Sequence, residues 1–152
     1  MKIKFLLLFF VSTISYAQIT LNDMKTILKM DYDSFETFAM NRGYVFKEFC
    51  NGELKCVTYT KGLGDKTKFI TLYTKYYEVN ENSFTYQTSS EIEYLSIKKQ
   101  MKELGFVLYD TDEWQEKGVL FKEYKNRNYK LTIAVGKNEI NTVNYEISLH
   151  YL

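Results

Sequence analysis

Twice in this sequence a helical stretch ends at a glycine and runs without a linker into an aromatic strand. The first join is Arg42-Gly43-Tyr44-Val45-Phe46 and the second is Leu104-Gly105-Phe106-Val107-Leu108. A glycine at that place supplies the left-handed residue that closes a helix. The aromatic and β-branched run behind it favours a strand. A chain that makes the same join twice, with strands after each, reads as a repeated supersecondary unit.

The segments around the two joins fill out that reading. Leu21, Met24, Ile27 and Leu28 recur at helical spacing over Leu21–Met30. A second helix is expected to open at Asp33, with Glu36 as its reciprocal capping acid, and to bury Phe35, Phe38 and Ala39. Strands are expected over Tyr44–Phe49, Leu54–Lys61, Lys68–Tyr77 and Ser83–Gln87, separated by turn residues at Gly62-Leu63-Gly64-Asp65 and Asn80-Glu81-Asn82. The pattern then restarts. Ser90–Leu104 reads as a helix with a Ser90/Glu93 capping box, acids at its start, lysines at its end, and a buried stripe of Tyr94, Ile97, Met101 and Leu104. Phe106–Tyr109, Val119–Lys125, Tyr129–Gly136 and Thr142–Leu152 follow as strands. The expected fold is α+β: a tandem α-β-β-β-β duplication over 18–88 and 89–152, forming one compact unit whose antiparallel sheet carries its helices on one face.

The first 17 residues belong to neither unit. Lys2 and Lys4 precede the unbroken apolar run Phe5–Val11, and Ser15 and Ala17 follow with the spacing of a cleavage site. This order is that of a secretory signal peptide, too short in its apolar part to span a bilayer. The working molecule is expected to begin near Gln18, in the periplasm or outside the cell. Loss of Lys2 and Lys4 leaves 18 of the 20 basic residues against 19 acidic ones, so nucleic acid and anionic membrane surfaces gain no electrostatic support as partners.

Export bears on the two cysteines, Cys50 and Cys56. Asn51-Gly52 between them is a two-residue hairpin signal, which would set Cys50 opposite Glu53. A disulfide requires the wider loop Asn51–Lys55. An oxidising compartment favours the disulfide, which over so short a loop contributes only about 2 kcal/mol.

A helix–loop–helix followed by a four-stranded antiparallel unit, repeated in a small exported chain, resembles the architecture of the β-lactamase inhibitory proteins. A short-range disulfide in the first half, here Cys50 with Cys56, is similar too. The resemblance covers most of the mature chain but rests on the order of elements, and no contact residue carries over by motif. It implies that the sheet face away from the helices grips another exported or envelope protein. The segment 31–38 with Arg42–Phe46 also resembles a signature of uncharacterised exported bacterial proteins, which implies a family and no activity.

The strands divide into faces accordingly. In the last strand Val143, Tyr145, Ile147, Leu149 and Tyr151 alternate with Asn144, Glu146, Ser148 and His150, giving one apolar and one polar face. In the first half both faces carry apolar residues. Phe69, Tyr73 and Tyr77 oppose Ile70, Leu72 and Tyr76, and Val57 and Tyr59 oppose Leu54 and Cys56. Tyr59 and Tyr76 are therefore candidates for an exposed aromatic contact patch. The remaining candidates lie in Asp110-Thr111-Asp112-Glu113-Trp114-Gln115-Glu116, expected to be a loop, which carries the only tryptophan of the chain. Trp114 ringed by Asp112 and Glu113 suits the capture of a basic protein surface.

Chemistry is sparse. There is no nucleophile elbow, no phosphate-cradling loop followed by a helix, no zinc spacing and no EF-hand spacing. No catalytic residue, cofactor or metal is assigned. The sequence points to a non-catalytic exported binding module, an inhibitor or immunity-type protein acting by steric occlusion. The alternative is an extracytoplasmic hydrolase in which Asp110, Asp112 and Glu113 converge with His150, the single histidine.

Overall fold

The computed structural model describes residues 18–50, 55–74, 82–114 (Trp114 by its backbone alone), 118–137 and 141–152. The expected signal peptide, the Asn51-Gly52 turn, Tyr76, Tyr77 and Glu116 lie outside the described residues. Among the described residues three α-helices and eight strands follow in the order α1 (Leu21–Ile27), α2 (Tyr32–Asn41), β1 (Val45–Phe49), β2 (Lys55–Lys61), β3 (Lys68–Thr74), β4 (Ser83–Thr88), α3 (Glu91–Glu103), β5 (Val107–Trp114), β6 (Val119–Lys125), β7 (Tyr129–Lys137) and β8 (Val143–Tyr151). The class is α+β. All eight strands form one sheet in the order β1-β2-β3-β4-β8-β7-β6-β5, with every pair antiparallel. Each four-strand run is a meander, and the meanders meet where β4 lies against β8.

Local chemistry sets the helix starts, and here expectation needs correction. Thr20 caps α1: its hydroxyl accepts from the Asp23 N–H at 3.1 Å, and the Asp23 carboxylate accepts from the Thr20 N–H at 2.9 Å. The cap of α2 is Asp31, which accepts from the Ser34 N–H at 2.9 Å, and not Asp33. Asp31 can leave helical geometry because α1 has already ended at Ile27. At α3 only half of the expected capping box forms. Ser90 accepts from the Glu93 N–H at 3.4 Å, but the Ser90 N–H donates to the Thr88 hydroxyl. The Glu93 carboxylate turns elsewhere.

Register explains the core. One cross-strand row runs Val57, Leu72, Phe84, Leu149, Leu131, Tyr124, Leu108, and the next runs Tyr59, Ile70, Tyr86, Ile147, Ile133, Lys122, Thr111. The central members of both rows are buried, together with Leu21, Met24, Ile27, Phe35, Ala39, Ile97 and Met101 of the helices. The described helices therefore cover one face of the sheet. Tyr94, from the expected stripe of α3, stacks on Tyr145 at 4.2 Å between ring centroids. Leu104, from the same stripe, is exposed.

The two helix-to-strand joins have the same hydrogen bonds. The Tyr44 N–H donates to the Ala39 carbonyl and the Phe106 N–H to that of Met101, each at 3.0 Å, while Gly43 and Gly105 donate to Met40 and Lys102. Both glycines have left-handed backbone, φ +76° and +72°. A bulge follows at the same distance into each edge strand, between Phe46 and Glu48 in β1 and between Leu108 and Asp110 in β5. The second of these corrects the expected loop at 110–116. The chain continues as β5 through Trp114, because Asp110 to Trp114 pair in register with Glu123 to Val119. A bulge bends and twists an edge strand without ending it.

Candidate functional site

Two places on the molecule have more organisation than packing requires. The first is the sheet face that the helices leave uncovered. Its central cross-strand row is Glu48, Thr58, Thr71, Thr85, Ser148, Thr132, Glu123 and Asp110. Five successive members are thus small hydroxyl residues. Thr58 bonds Thr71 at 3.0 Å, and Thr85 bonds Ser148 at 2.8 Å across the seam between the meanders. Taller side chains stand in the rows on either side: Tyr73, His150 and Lys130 on one, Phe69, Glu146 and Phe121 on the other. The result is a low polar floor between raised walls. Its centre is a depression of about 380 Å³ that Thr85, Thr132, Ser148 and His150 line.

Charge on this face is uneven. Asp110, Asp112, Glu123 and Phe121 line a second depression at the β5–β6 end. Glu123 bridges to Lys130 at 2.5 Å. His150 titrates below the ordinary histidine range, first because it is buried and then because Lys130 is near, with Glu123 opposing. Asp110 and Asp112 share the face with His150 but line a different depression.

The second place is on the helix side, a cavity of about 470 Å³ between the start of α3, β4 and the β2–β3 turn. At its base Glu93 accepts from three donors: the Lys68 ammonium, the Tyr86 hydroxyl at 2.5 Å and the Thr88 hydroxyl at 2.7 Å. Burial alone would raise the Glu93 carboxyl, but the bonds from Lys68, Tyr86 and Thr88 outweigh it and hold the group below its usual range. Burial pushes the hydroxyls of Tyr86 and Tyr44 far up, with the neighbouring Glu93 charge adding to the shift. Both tyrosines stay neutral, and Tyr86 donates to Glu93. The Lys61 ammonium donates to the Arg42 carbonyl at 2.5 Å, closing the end of α2, and Arg42 itself pairs with Asp23 at 2.7 Å. Lys61, Lys66 and Lys68 all line the cavity.

The residues that the sequence singles out are placed as follows. Tyr59 is 3% exposed and packs edge-on against Phe35 and Phe46, so it belongs to the core and offers no contact surface. Its strand alternates, but the face it shares with Val57 is the one the helices cover. Asp112 and Glu113 are exposed on β5, a strand and not a loop. The backbone of Trp114 pairs with Val119 at the end of the same strand. Tyr76 lies outside the described residues. Phe69 and Tyr73 are the aromatic residues that the first half presents on the open face, both half-buried. Cys50 and Cys56 form a disulfide with Cα atoms 5.1 Å apart, and the Cys50 N–H donates to the Cys56 carbonyl. The pair is an extension of the β1–β2 ladder.

Sequence reasoning missed both the hydroxyl row and the Glu93 cluster. Each threonine of the row occupies a polar slot in an alternating strand, so its face was readable. That the slots fall in one line depends on register. Glu93 drew notice as a helix cap, which hid its larger part as an acceptor for three side chains. Among the described residues no group of His, Cys, Asp and Glu is arranged to hold a metal ion, and no helix is long and apolar enough to cross a membrane. Comparison with protein-family models, curated proteins and solved structures found no match for this chain.

Proposed function

We propose that this chain is an exported, non-catalytic binding protein that seats a partner protein on the open face of its sheet and acts by steric occlusion. The observation that carries the reading is the hydroxyl floor from Thr58 to Thr132. Short side chains across five strands leave room for a projecting segment of another protein, and their hydroxyls both donate and accept. The walls supply aromatic area and the acids of the β5–β6 end, Asp110, Asp112 and Glu123, complement a basic surface. Asp112 is exposed on that acidic margin, while Glu113, one residue on and opposite Leu120, belongs to the other face of β5.

The chain is read as a product of internal duplication. The paired junction bonds, the paired left-handed glycines and the paired bulges recur at one offset in the sequence, and the meanders meet at Thr85 and Ser148. The disulfide is compatible with an oxidising compartment, and periplasmic or secreted placement follows from the signal-like start. The proposed partner is another exported or envelope protein, as in an inhibitor or immunity pair.

The test is a paired capture from envelope extract, with the native protein and a Thr85→Arg/Thr132→Arg variant that fills the floor. A protein retained by the first and lost by the second is the expected result. Equal retention by both, with the variant still folded by circular dichroism, would remove the open face from the reading.

A further inference from the structure

The two edge strands share a bulge and differ in what they present along it. β1 stands at one end of the strand order, and β2 is its one sheet partner among the described residues. All five residues of β1 are exposed. The bulge sets their faces. Phe46 stands opposite Tyr59 and Phe49 opposite Val57, both on the helix side, although they are three residues apart. Their rings meet at 5.1 Å between centroids and stay 50% and 63% exposed. Val45 stands opposite Thr60 on the open side. The Lys47 ammonium also lies on that side, 4.7 Å from the centre of the Phe69 ring, and pairs with Glu48 at 2.9 Å. Cys50 joins Cys56, whose neighbour across the sheet is Tyr73 of the open side.

From Val45 to Cys50 the order of faces is therefore open, helix, open, open, helix, open. It reads the same from either end. A regular strand alternates, so two antiparallel copies keep face against face only where an odd position meets an odd one. Lys47 would then oppose Lys47. The bulge moves the centre of symmetry to between Lys47 and Glu48. In that register Lys47 meets Glu48 of a second copy and Phe46 meets its Phe49. A bulge and a lysine ordinarily guard an edge against pairing. On this edge they are complementary to their own rotated copy. The bulge of β5 gives no such match. There the same register sets Val107 against Asp112 and Tyr109 against Asp110, and gathers four aspartates.

We infer that the protein self-associates through β1, as a two-fold dimer in which β1 pairs antiparallel with β1 of a second copy. The two sheets become one, with the helices of both copies on the same side. Phe46 and Phe49 of the two copies form one apolar row of four rings. On the open side the charges of Lys47 and Glu48 alternate in sign about the axis. Burial of the rings drives the association and the charges fix the register. The contact is isologous, so it closes at two copies.

The test is sedimentation equilibrium of the purified protein and its variants, with circular dichroism to show that each variant is folded. The native protein is expected to pass from monomer to dimer as its concentration rises. Lys47→Glu and Glu48→Lys each set like charges across the axis twice, and each should raise the dissociation constant about tenfold. The double exchange Lys47→Glu/Glu48→Lys restores opposite charges and should return the constant close to the native value. Phe49→Lys should leave the protein monomeric. Leu108→Lys, an equally exposed change on the other edge strand, should leave the dimer intact. A native protein that stays monomeric up to about 1 mM, the weak end of specific association, would overturn the inference. So would a double exchange no tighter than the single ones, loss of the dimer in Leu108→Lys, or growth beyond two copies. None of these outcomes involves a partner protein, so this inference and the reading of the open face fail separately.

Discussion

The two halves of the molecule use the same join and fill it differently. At the junction Tyr44 is 3% exposed and Phe106 is 8% exposed, and both follow a left-handed glycine whose helix ends in the same bonds. The hydroxyl of Tyr44 is the distinguishing atom. It brings the first junction into contact with Tyr86 and the Glu93 cluster and makes it one wall of a cavity. Phe106 makes the second junction plain packing. The open face differs in the same way. Thr58 pairs with Glu48 in the first half, where the second half has Glu123 paired with Asp110. One frame thus serves two surfaces, because the frame is set by backbone bonds and glycines and the surface by the side chains mounted on it.

The largest way to disturb that contrast is at Glu93. Glu93→Gln leaves Lys68 without its counter-charge and weakens three bonds at once. A loss of about 2 kcal/mol is expected in urea unfolding, the scale of hydrogen bonds to a charged acceptor. The carboxyl is held below its ordinary value of 4.5 in the folded chain. Its contribution is therefore complete above about pH 4.5 and is lost as the pH falls through the lower folded value. The native protein should lose this stability on acidification, while Glu93→Gln should show a flatter dependence between pH 5 and 3. Identical slopes would mean that the cluster contributes nothing to folding.

Exchanging the junction rings tests the contrast directly. Tyr44→Phe should cost about 1 kcal/mol, for one hydroxyl withdrawn from its partner. Phe106→Tyr should cost about 1–2 kcal/mol, for a hydroxyl brought into a buried site of the core. Chemical denaturation of both single variants measures the pair. If Phe106→Tyr is neutral, the second junction is more open than its burial implies.

The smallest effect tests sameness. Gly43→Ala and Gly105→Ala each force a Cβ onto left-handed backbone, at a cost of about 1 kcal/mol. The added carbon would meet nothing closer than 3.6 Å at Gly43 and nothing within 4 Å at Gly105. The two losses should therefore agree within about 0.5 kcal/mol, the usual reach of independent surface effects. A clear difference in thermal midpoint between the two variants would separate joins that the backbone geometry makes alike.

Much of this frame was legible in the sequence. Gly43 and Gly105 announced the joins, and the alternation in β7 and β8 announced a sheet covered on one side. The second helix was started two residues too late because Asp33 and Glu36 mimic a capping pair that Asp31 supplies. Asp110 to Trp114 read as a loop because acids are poor strand formers, yet an edge strand with a bulge accepts them. Tyr59 was assigned to a contact patch because both faces of the first-half strands are apolar, and only the helices decide which face is covered. Lateral facts, such as the hydroxyl row and the cavity, lie between segments distant in sequence, where no local pattern reaches.

The seam between β4 and β8 has a further consequence for how the chain folds. β8, which follows the other seven strands in sequence, is not an edge but lies in the middle of the sheet, paired on both sides with β4 and β7. Until it arrives, the two meanders have no strand in common, and β4 and β7 each show an unpaired edge. The pairing of β4 with β8 joins segments far apart in sequence, with Thr85 opposite Ser148, so its loop-closure entropy is the largest of the strand pairings. Without β8, β1–β4 and β5–β7 are two separate partial sheets, and β8 is the strand that makes them one.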